Sequence, residues 1–312
     1  MSAALPPAAD GDGRVSVSLA ELLAQRARAA RKPLPLRRSR AAPAGPQASR
    51  VHGRGMDYAE SRAYQPGDDV RRLDWRLTAR SGKLHTKLFQ EEREGRLLVL
   101  LDTHASMRFG TRARFKSVQA ARAAALAGWL AVRAGERVGA LAFGERRHLL
   151  RPQGSTRGAL ALCGAITAWD AERAPASGAE PLSEALQRAG RLMHGASRVL
   201  LISDGLSADD AARGRLIDLA RHTDVSVLIV GDALELASAP PGRYPLEHDG
   251  LRREVVLMGE RQRRDFQLAL GAGQARLAAL ARSLNIPQRV IDTTADPLDA
   301  VAALLAGAKA GA

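Results

Sequence analysis

Two short apolar runs, "RLLVLLD" closing at Asp102 and "SRVLLISD" closing at Asp204, end in an aspartate, and a third, "VSVLIVGD", has the same make-up. Runs this short and this uniformly apolar are strands of a sheet buried on both faces. Helices must then cover each face, and the sequence supplies them in alternation. "RARFKSVQAARAAALAGWLAVRAG", closed by Gly135, follows the first run; "TRGALALCGAITAW" and "PLSEALQRAGRLMH" precede the second; "DDAARGRLIDLARHT" follows it. "RVGALAFG" reads as another strand, with "RHLLRP" hairpin-linked to it. The Pro/Gly-rich "ASAPPGRYPLEHDG" reads as a loop, before the strand "REVVLM", a helix ending near Leu284, the strand "QRVIDT" and a terminal helix. The pattern predicts an α/β fold with a doubly wound, mostly parallel sheet and helices on both faces.

The N-terminal third has a different texture. From residue 22 to residue 56 no acidic residue occurs, while Arg26, Arg28, Arg31, Lys32, Arg37, Arg38, Arg40, Arg50 and Arg54 do. Together with the Pro/Ala/Ser-rich "KPLPLRRSRAAPAGPQAS", this predicts a flexible basic arm over residues 1–50. Residues 51–95 then form a compact, charge-dense block expected to pack on the main domain, residues 96–312. Pro66-Gly67 marks a turn in it, and Asp68 or Asp69 is placed to cap a short helix with apolar positions Val70, Leu73 and Leu77, ended by Gly82. "KLHTKLF" then alternates as a strand.

The formal net charge of +14 over 312 residues raises nucleic acid as a partner. No RNA-binding aromatic signature or zinc-finger spacing accompanies it, so a solvated arm is the simpler reading. A lone cysteine, Cys163, excludes an internal disulfide and suits a reducing compartment. With no basic n-region followed by an apolar stretch, and no apolar segment long enough to span a bilayer, a cytoplasmic protein without a membrane span is expected.

In open α/β sheets, sites form beyond the carboxyl ends of strands, beside the point where strand order reverses. Asp102 and Asp204 belong there. Two such carboxylates repel unless a cation, a proton or a basic side chain lies between them. A hard divalent ion would answer that need, and Ser106, four residues after Asp102, offers a hydroxyl.

At this point the chain resembles a known family. The order Asp-x-Ser-x-Ser after a first strand, a threonine in a later loop and Asp-Gly after a later strand is the metal-ion-dependent adhesion site of von Willebrand factor A domains. Here "DTHAS", "AEPLSEAL" and "SDG" stand in those places, so Asp102, Ser106 and Asp204 match, while His104 replaces the first serine and Glu180 the threonine. The upstream "RAYQPGDDVRRLDWRLTAR", with Tyr64, Pro66, Gly67, Asp68, Asp69, Arg71, Asp74, Trp75 and Arg76, followed by "KLFQEE", is similar to the signature of domain of unknown function 58. The resemblance spans roughly residues 50 to 310. It implies a von Willebrand factor A-like domain with a small N-terminal appendage, and a MoxR-type AAA+ ATPase as partner.

The two departures bear on the cofactor, Mg²⁺ or Mn²⁺ in an intact site. Imidazole at His104 removes a hard oxygen ligand and suits Mn²⁺, Zn²⁺ or Ni²⁺ better than Mg²⁺. Alternatively, a protonated His104 between Asp102 and Asp204 takes the cation's role. Glu180 either restores an oxygen or is solvated on its loop. A degenerate site with weak, altered or absent metal binding is the expectation.

Enzymatic alternatives rank lower. No Gly-x-Ser-x-Gly nucleophile elbow occurs, His104 occupies the second position of an Asp-x-Asp phosphotransferase motif, and "GSTRG" lacks the Walker lysine, which leaves Thr156 as an ordinary helix cap. Asp102 and Asp204 have no nucleophile or base beside them to make a metal-dependent hydrolase. The signature block reads as an Arg–Asp network anchored by Trp75, or as a docking surface. The favoured function is a non-enzymatic adaptor that binds a client protein at the strand-end face. The alternative is a basic nucleic-acid-binding module using the arm.

Overall fold

The computed structural model describes residues 10–32, 56–91, 95–172, 178–193, 197–237, 239–248 and 251–306. Contacts divide the chain into two compact units, residues 37–94 and the remainder.

In the larger unit, β3 (Arg96–Asp102), β4 (Arg137–Phe143), β6 (Ser197–Ser203), β7 (Asp224–Gly231) and β10 (Gln288–Asp292) run parallel. β5 (His148–Gln153) returns antiparallel along β4 as the edge, giving the order β10-β7-β6-β3-β4-β5. The strand alternation sends Leu97, Val99 and Leu101 of β3 to one face and Leu98 and Leu100 to the other. The first face is covered by α3 (Lys116–Arg133), α4 (Ser155–Ala171) and α10 (Leu298–Ala306). The second is covered by α5 (Leu182–Leu192), α6 (Ala212–Ala220) and α9 (Ala272–Ser283). The expected doubly wound sheet is what the chain forms.

Several local expectations change. α4 starts at Ser155 with Gly154 at its N-cap, so Thr156 lies inside the helix and is not its cap. The loop expected over 237–250 contributes β8 (Gly242–His248), a hairpin partner of β9 (Leu251–Leu257), because its alternation suffices once β9 offers a free edge. The helix ending near Leu284 is two helices, α8 (Glu260–Leu270) and α9, broken at Gly271. A one-turn α7 (Ala233–Leu236) follows β7. Cys163 is a buried core residue of α4, and desolvation pushes its thiol up to about 12.

The largest correction concerns the expected arm. Residues 19–30 form α1 (Leu19–Ala30), capped by Ser18, whose hydroxyl accepts from the Glu21 N–H at 3.2 Å. Leu22 and Ala29 are buried in the first-face core. The Trp129 indole of α3 donates to the Leu22 carbonyl at 3.2 Å, and the Val17 N–H to Asp170 at 2.8 Å. Glu21 pairs with Arg114 and Arg122, and Arg28 with Asp296. Of the basic residues that suggested disorder, Arg26 and Arg28 lie on this helix. The rest of the expected arm, 1–9 and 33–50, lies outside the described residues.

In the smaller unit, β1 (Met56–Ala63) pairs antiparallel with β2 (His85–Glu91). The expected single helix is a 3₁₀ turn, Val70–Arg72, capped by Asp69, then α2 (Trp75–Ser81), capped by Asp74 and closed by Gly82 in the left-handed region. Leu73 is extended between them and bridges Thr86. Asp74 accepts from the Leu77 N–H at 3.0 Å and Ser61 at 2.8 Å; Asp68 accepts from the Gln65 N–H at 2.9 Å and pairs with Arg62 at 2.7 Å. These bonds hold both carboxyls below the usual carboxylate range. The Tyr64 N–H donates to Leu84. Trp75 is 67% exposed, so the tryptophan is not the buried anchor of this unit; Leu73 and Thr86 are buried instead. Arg71 and Arg76 are exposed.

Candidate functional site

Strand order reverses between β3 and β6, and the carboxyl ends of these two strands carry Asp102 and the Ser203-Asp204 pair. Asp102 is buried. Its Oδ1 accepts from the His104 N–H at 3.0 Å and meets His104 Nδ1 at 2.7 Å; its Oδ2 accepts from Ser203 Oγ at 2.6 Å and Ser207 Oγ at 2.9 Å. Burial opposes the charge on Asp102, but His104 and the serine hydroxyls outweigh it and hold the carboxyl low. Burial likewise opposes protonation of His104. The bond to Asp102 and the nearby charges of Asp102, Asp204 and Glu145 outweigh it and raise the imidazole above its ordinary value. The His104 side chain remains 18% exposed and packs edge-on to Phe143 at 5.9 Å.

Gly144 makes room for that ring. Its φ is +103°, and a Cβ there would lie 2.6 Å from His104 Nδ1. Both facts demand glycine at this turn after β4.

Asp204 belongs to a second cluster. Its Oδ2 accepts from Lys116 Nζ at 2.8 Å, and the same ammonium donates to Glu235 Oε1 at 2.6 Å. Lys116 is fully buried. Asp204 Oδ1 accepts from the Leu206 N–H at 3.0 Å. Glu235 Oε2 accepts from the Asp232 N–H at 2.7 Å and from Gln274 at 2.8 Å. Desolvation raises the Glu235 carboxyl against the opposing pull of Lys116. Asp232 caps α7 and accepts from Thr111 and Thr293.

The expected site residues therefore separate. Asp102 and His104 are in direct contact. Asp204 bonds Lys116, so His104 does not bridge the two aspartates. Glu180 is buried and paired with Arg188 at 2.6 Å and Arg147 at 3.5 Å, and is neither solvated nor part of a ligand set. Ser106 sits in the turn after β3 with a buried, unpartnered hydroxyl. Among the described residues, no group of three or more His, Cys, Asp or Glu is arranged to hold a metal ion. The oxygens of Asp102, Asp204 and Glu235 are already engaged by donors on the chain. The residues present do not fit a divalent cation. Lys116, Glu235, Ser203 and Ser207 complete this arrangement and were not among the sequence candidates.

Beside Asp102 lies a cavity of about 20 Å³, bounded by Val17, Thr103, His104, Arg146, Trp169 and Asp170. It has room for about one water, far below a small-molecule site.

Residues 60–276 match the model of the protein of unknown function DUF58. The chain belongs to the DUF58 family. Similar relatives include Mb1516 of Mycobacterium bovis and Rv1480 of Mycobacterium tuberculosis, each 30% identical over 264 residues, covering 84% of this chain and 82% of the relative. Similar solved structures include BatB from Bacteroides thetaiotaomicron (TM-score 0.42, 16% identity, 69% of this chain and 98% of that one). Another is a von Willebrand factor type A protein from Catenulispora acidiphila (TM-score 0.40, 14% identity, 71% and 44%). The main unit of this DUF58 protein is a doubly wound α/β domain, with its Asp-x-x-x-Ser turn at the reversal point of the sheet. Among the described residues, no helix is long and apolar enough to cross a membrane.

Proposed function

We propose that this DUF58 protein is a non-enzymatic interaction module that works in the cytoplasm with a MoxR-type AAA+ ATPase and docks an acidic segment of a client protein at the strand-end face. The observation that carries this reading is His104: a partly exposed imidazole bonded to the buried Asp102, which favours its cationic form, at the reversal point of the sheet. A carboxylate arriving there meets a positively charged donor, the role a metal plays in an intact adhesion site. The small cavity and the commitment of each carboxylate to a donor on the chain support recognition over chemistry. The ATPase partnership rests on the family resemblance. The nucleic-acid alternative rests on basic residues of which 33–55 lie outside the described residues.

The test is binding of the purified full chain to the MoxR-type ATPase of the same organism, and of clients captured with that complex, by biolayer interferometry. ATPase binding, with client affinity reduced about tenfold or more in His104→Ala, is expected, since a charge-assisted hydrogen bond contributes about 1.5–3 kcal/mol. No ATPase binding would sink the adaptor reading. Unchanged client affinity in His104→Ala would remove the docking site and leave the adaptor reading standing.

A further inference from the structure

We infer that Lys116 is the resident cation of Asp204 and Glu235: its ammonium, carried on α3, supplies at these two carboxylates the positive charge a divalent ion would otherwise bring, and the chain works without metal.

The argument starts from charge. Asp204 and Glu235 are both buried, at positions brought together by the loops after β6 and β7. Two such carboxylates need a cation. Lys116 Nζ reaches both, at 2.8 and 2.6 Å, with no exposed surface on its side chain. Mg²⁺ binds oxygen at about 2.0–2.1 Å and keeps several waters, so at the Asp204 Oδ2 that accepts from Lys116 it would compete with the ammonium. The ammonium is tethered to the chain, and the Lys116 N–H donates to the Phe109 carbonyl at 2.8 Å, which fixes the backbone at the first turn of α3. Its ring neighbour Phe109, 5.6 Å from Nζ, adds a cation–π contact. A lysine in the first turn of a helix faces the positive end of the dipole, an unfavourable placement unless acidic partners lie ahead of it. Here they do.

The same logic explains why His104 is tolerated in place of a serine. Once an ammonium serves Asp204, the turn after β3 has no metal to coordinate, and Asp102 needs only a donor of its own. His104 Nδ1, Ser203 and Ser207 supply three. The imidazole is then a consequence of the lysine, and not what excludes a metal.

The inference deepens the proposed docking site by naming what balances its charge, yet its test reads cation occupancy alone, so a failure of client docking leaves it standing. The full chain is titrated with MgCl₂ and MnCl₂ by calorimetry, and melted with and without each salt at matched ionic strength. The wild type is expected to show no saturable heat and no rise in Tm beyond the ionic-strength control. Lys116→Ala is expected to melt lower and to gain saturable Mn²⁺ binding that restores part of its Tm; adding Asp204→Asn abolishes that gain. His104→Ser alone stays metal-free. Saturable Mg²⁺ or Mn²⁺ binding by the wild type that Asp204→Asn removes would overturn the inference, as would metal binding by His104→Ser alone. A folded Lys116→Ala chain that gains no metal binding would overturn it too. If Lys116→Ala does not fold, Lys116→Met replaces it in the melts, and the wild-type and His104→Ser titrations still decide.

Discussion

The two strand ends at the centre of the sheet solve one problem in two ways. At the end of β3, Asp102 is neutralised by His104, a titratable group two residues away that keeps 18% of its side chain in solvent. At the end of β6, Asp204 is neutralised by Lys116, a group fully buried and 88 residues away in sequence, shared with Glu235 from beyond β7. The first pair is local, titratable and partly exposed to solvent. The second is remote, closed and stitches three loops into one unit. One α/β sheet thus balances its strand-end acids with a titratable partner at one strand and a fixed ammonium at the next.

Breaking the fixed pair has the largest expected effect. Lys116→Met leaves two buried carboxylates without their ammonium, and removing one partner of a buried pair costs about 3–5 kcal/mol. Urea unfolding at neutral pH should show this loss, and the variant should regain stability as pH falls and the acids protonate. A loss under about 1 kcal/mol would show that the cluster is not what holds these loops together.

Breaking the switchable pair costs less and carries a pH signature. His104→Ala removes one charge-assisted bond, about 1.5–3 kcal/mol, while Ser203, Ser207 and a backbone N–H still serve Asp102. The folded imidazole lies above its ordinary 6.5, so its contribution is complete below that pH and is lost as pH rises through the raised value. The folded Asp102 carboxyl lies below its ordinary 3.8, so its contribution is complete above that pH and is lost as pH falls through the lowered value. Chemical denaturation across pH should show wild-type stability falling on the alkaline side. His104→Asn, which keeps an N–H donor without a titrating ring, should lack that fall. An identical alkaline limb in both would assign it elsewhere.

What could be read from the sequence follows the same division. The strands, their aspartates and the His104 departure are local: an apolar run, a terminal carboxylate, a motif five residues long. Lys116 was invisible because it sits in a helix whose other signals are apolar spacing, and only the folded loops reveal that its first turn faces Asp204. A cation at the first turn, with no acidic residue there to suit the dipole, was the available clue. Glu180 was misjudged by the opposite route. Its place in the motif suggested a ligand, but Arg188, one helix face away on α5, claims it. α1 was hidden by its arginines, although Ser18 followed by Glu21 is a capping-box pattern that could have announced a helix start. In the smaller unit, Asp69 caps a 3₁₀ turn at the expected place, but the helix beyond it has its own cap, Asp74, because Leu73 is extended between them and bridges Thr86.

Gly144→Ala sharpens the comparison, because it strikes the β3 pair without altering either charge. The new methyl needs a backbone at φ +103° and meets the imidazole at 2.6 Å, so strain of about 1–3 kcal/mol is expected. NMR titration should show the His104 pKa falling toward its ordinary value as the ring leaves Asp102. The Lys116 cluster should be undisturbed, which amide exchange at Leu206 and Asp232 can report.

The smallest expected effect is the control for all of these. Arg28 and Asp296 form an ion pair between α1 and the loop before α10, with side chains 32% and 58% exposed. Solvent screens such a pair, and Arg28→Ala should cost about 0–1 kcal/mol, shrinking further at high salt. The helix is held instead by Leu22 and Ala29 in the core and by the Trp129 indole on the Leu22 carbonyl. If Arg28→Ala proves as damaging as His104→Ala in salt-dependent urea melts, exposure would not distinguish the pairs, and the contrast between the two strand ends would lose its physical basis.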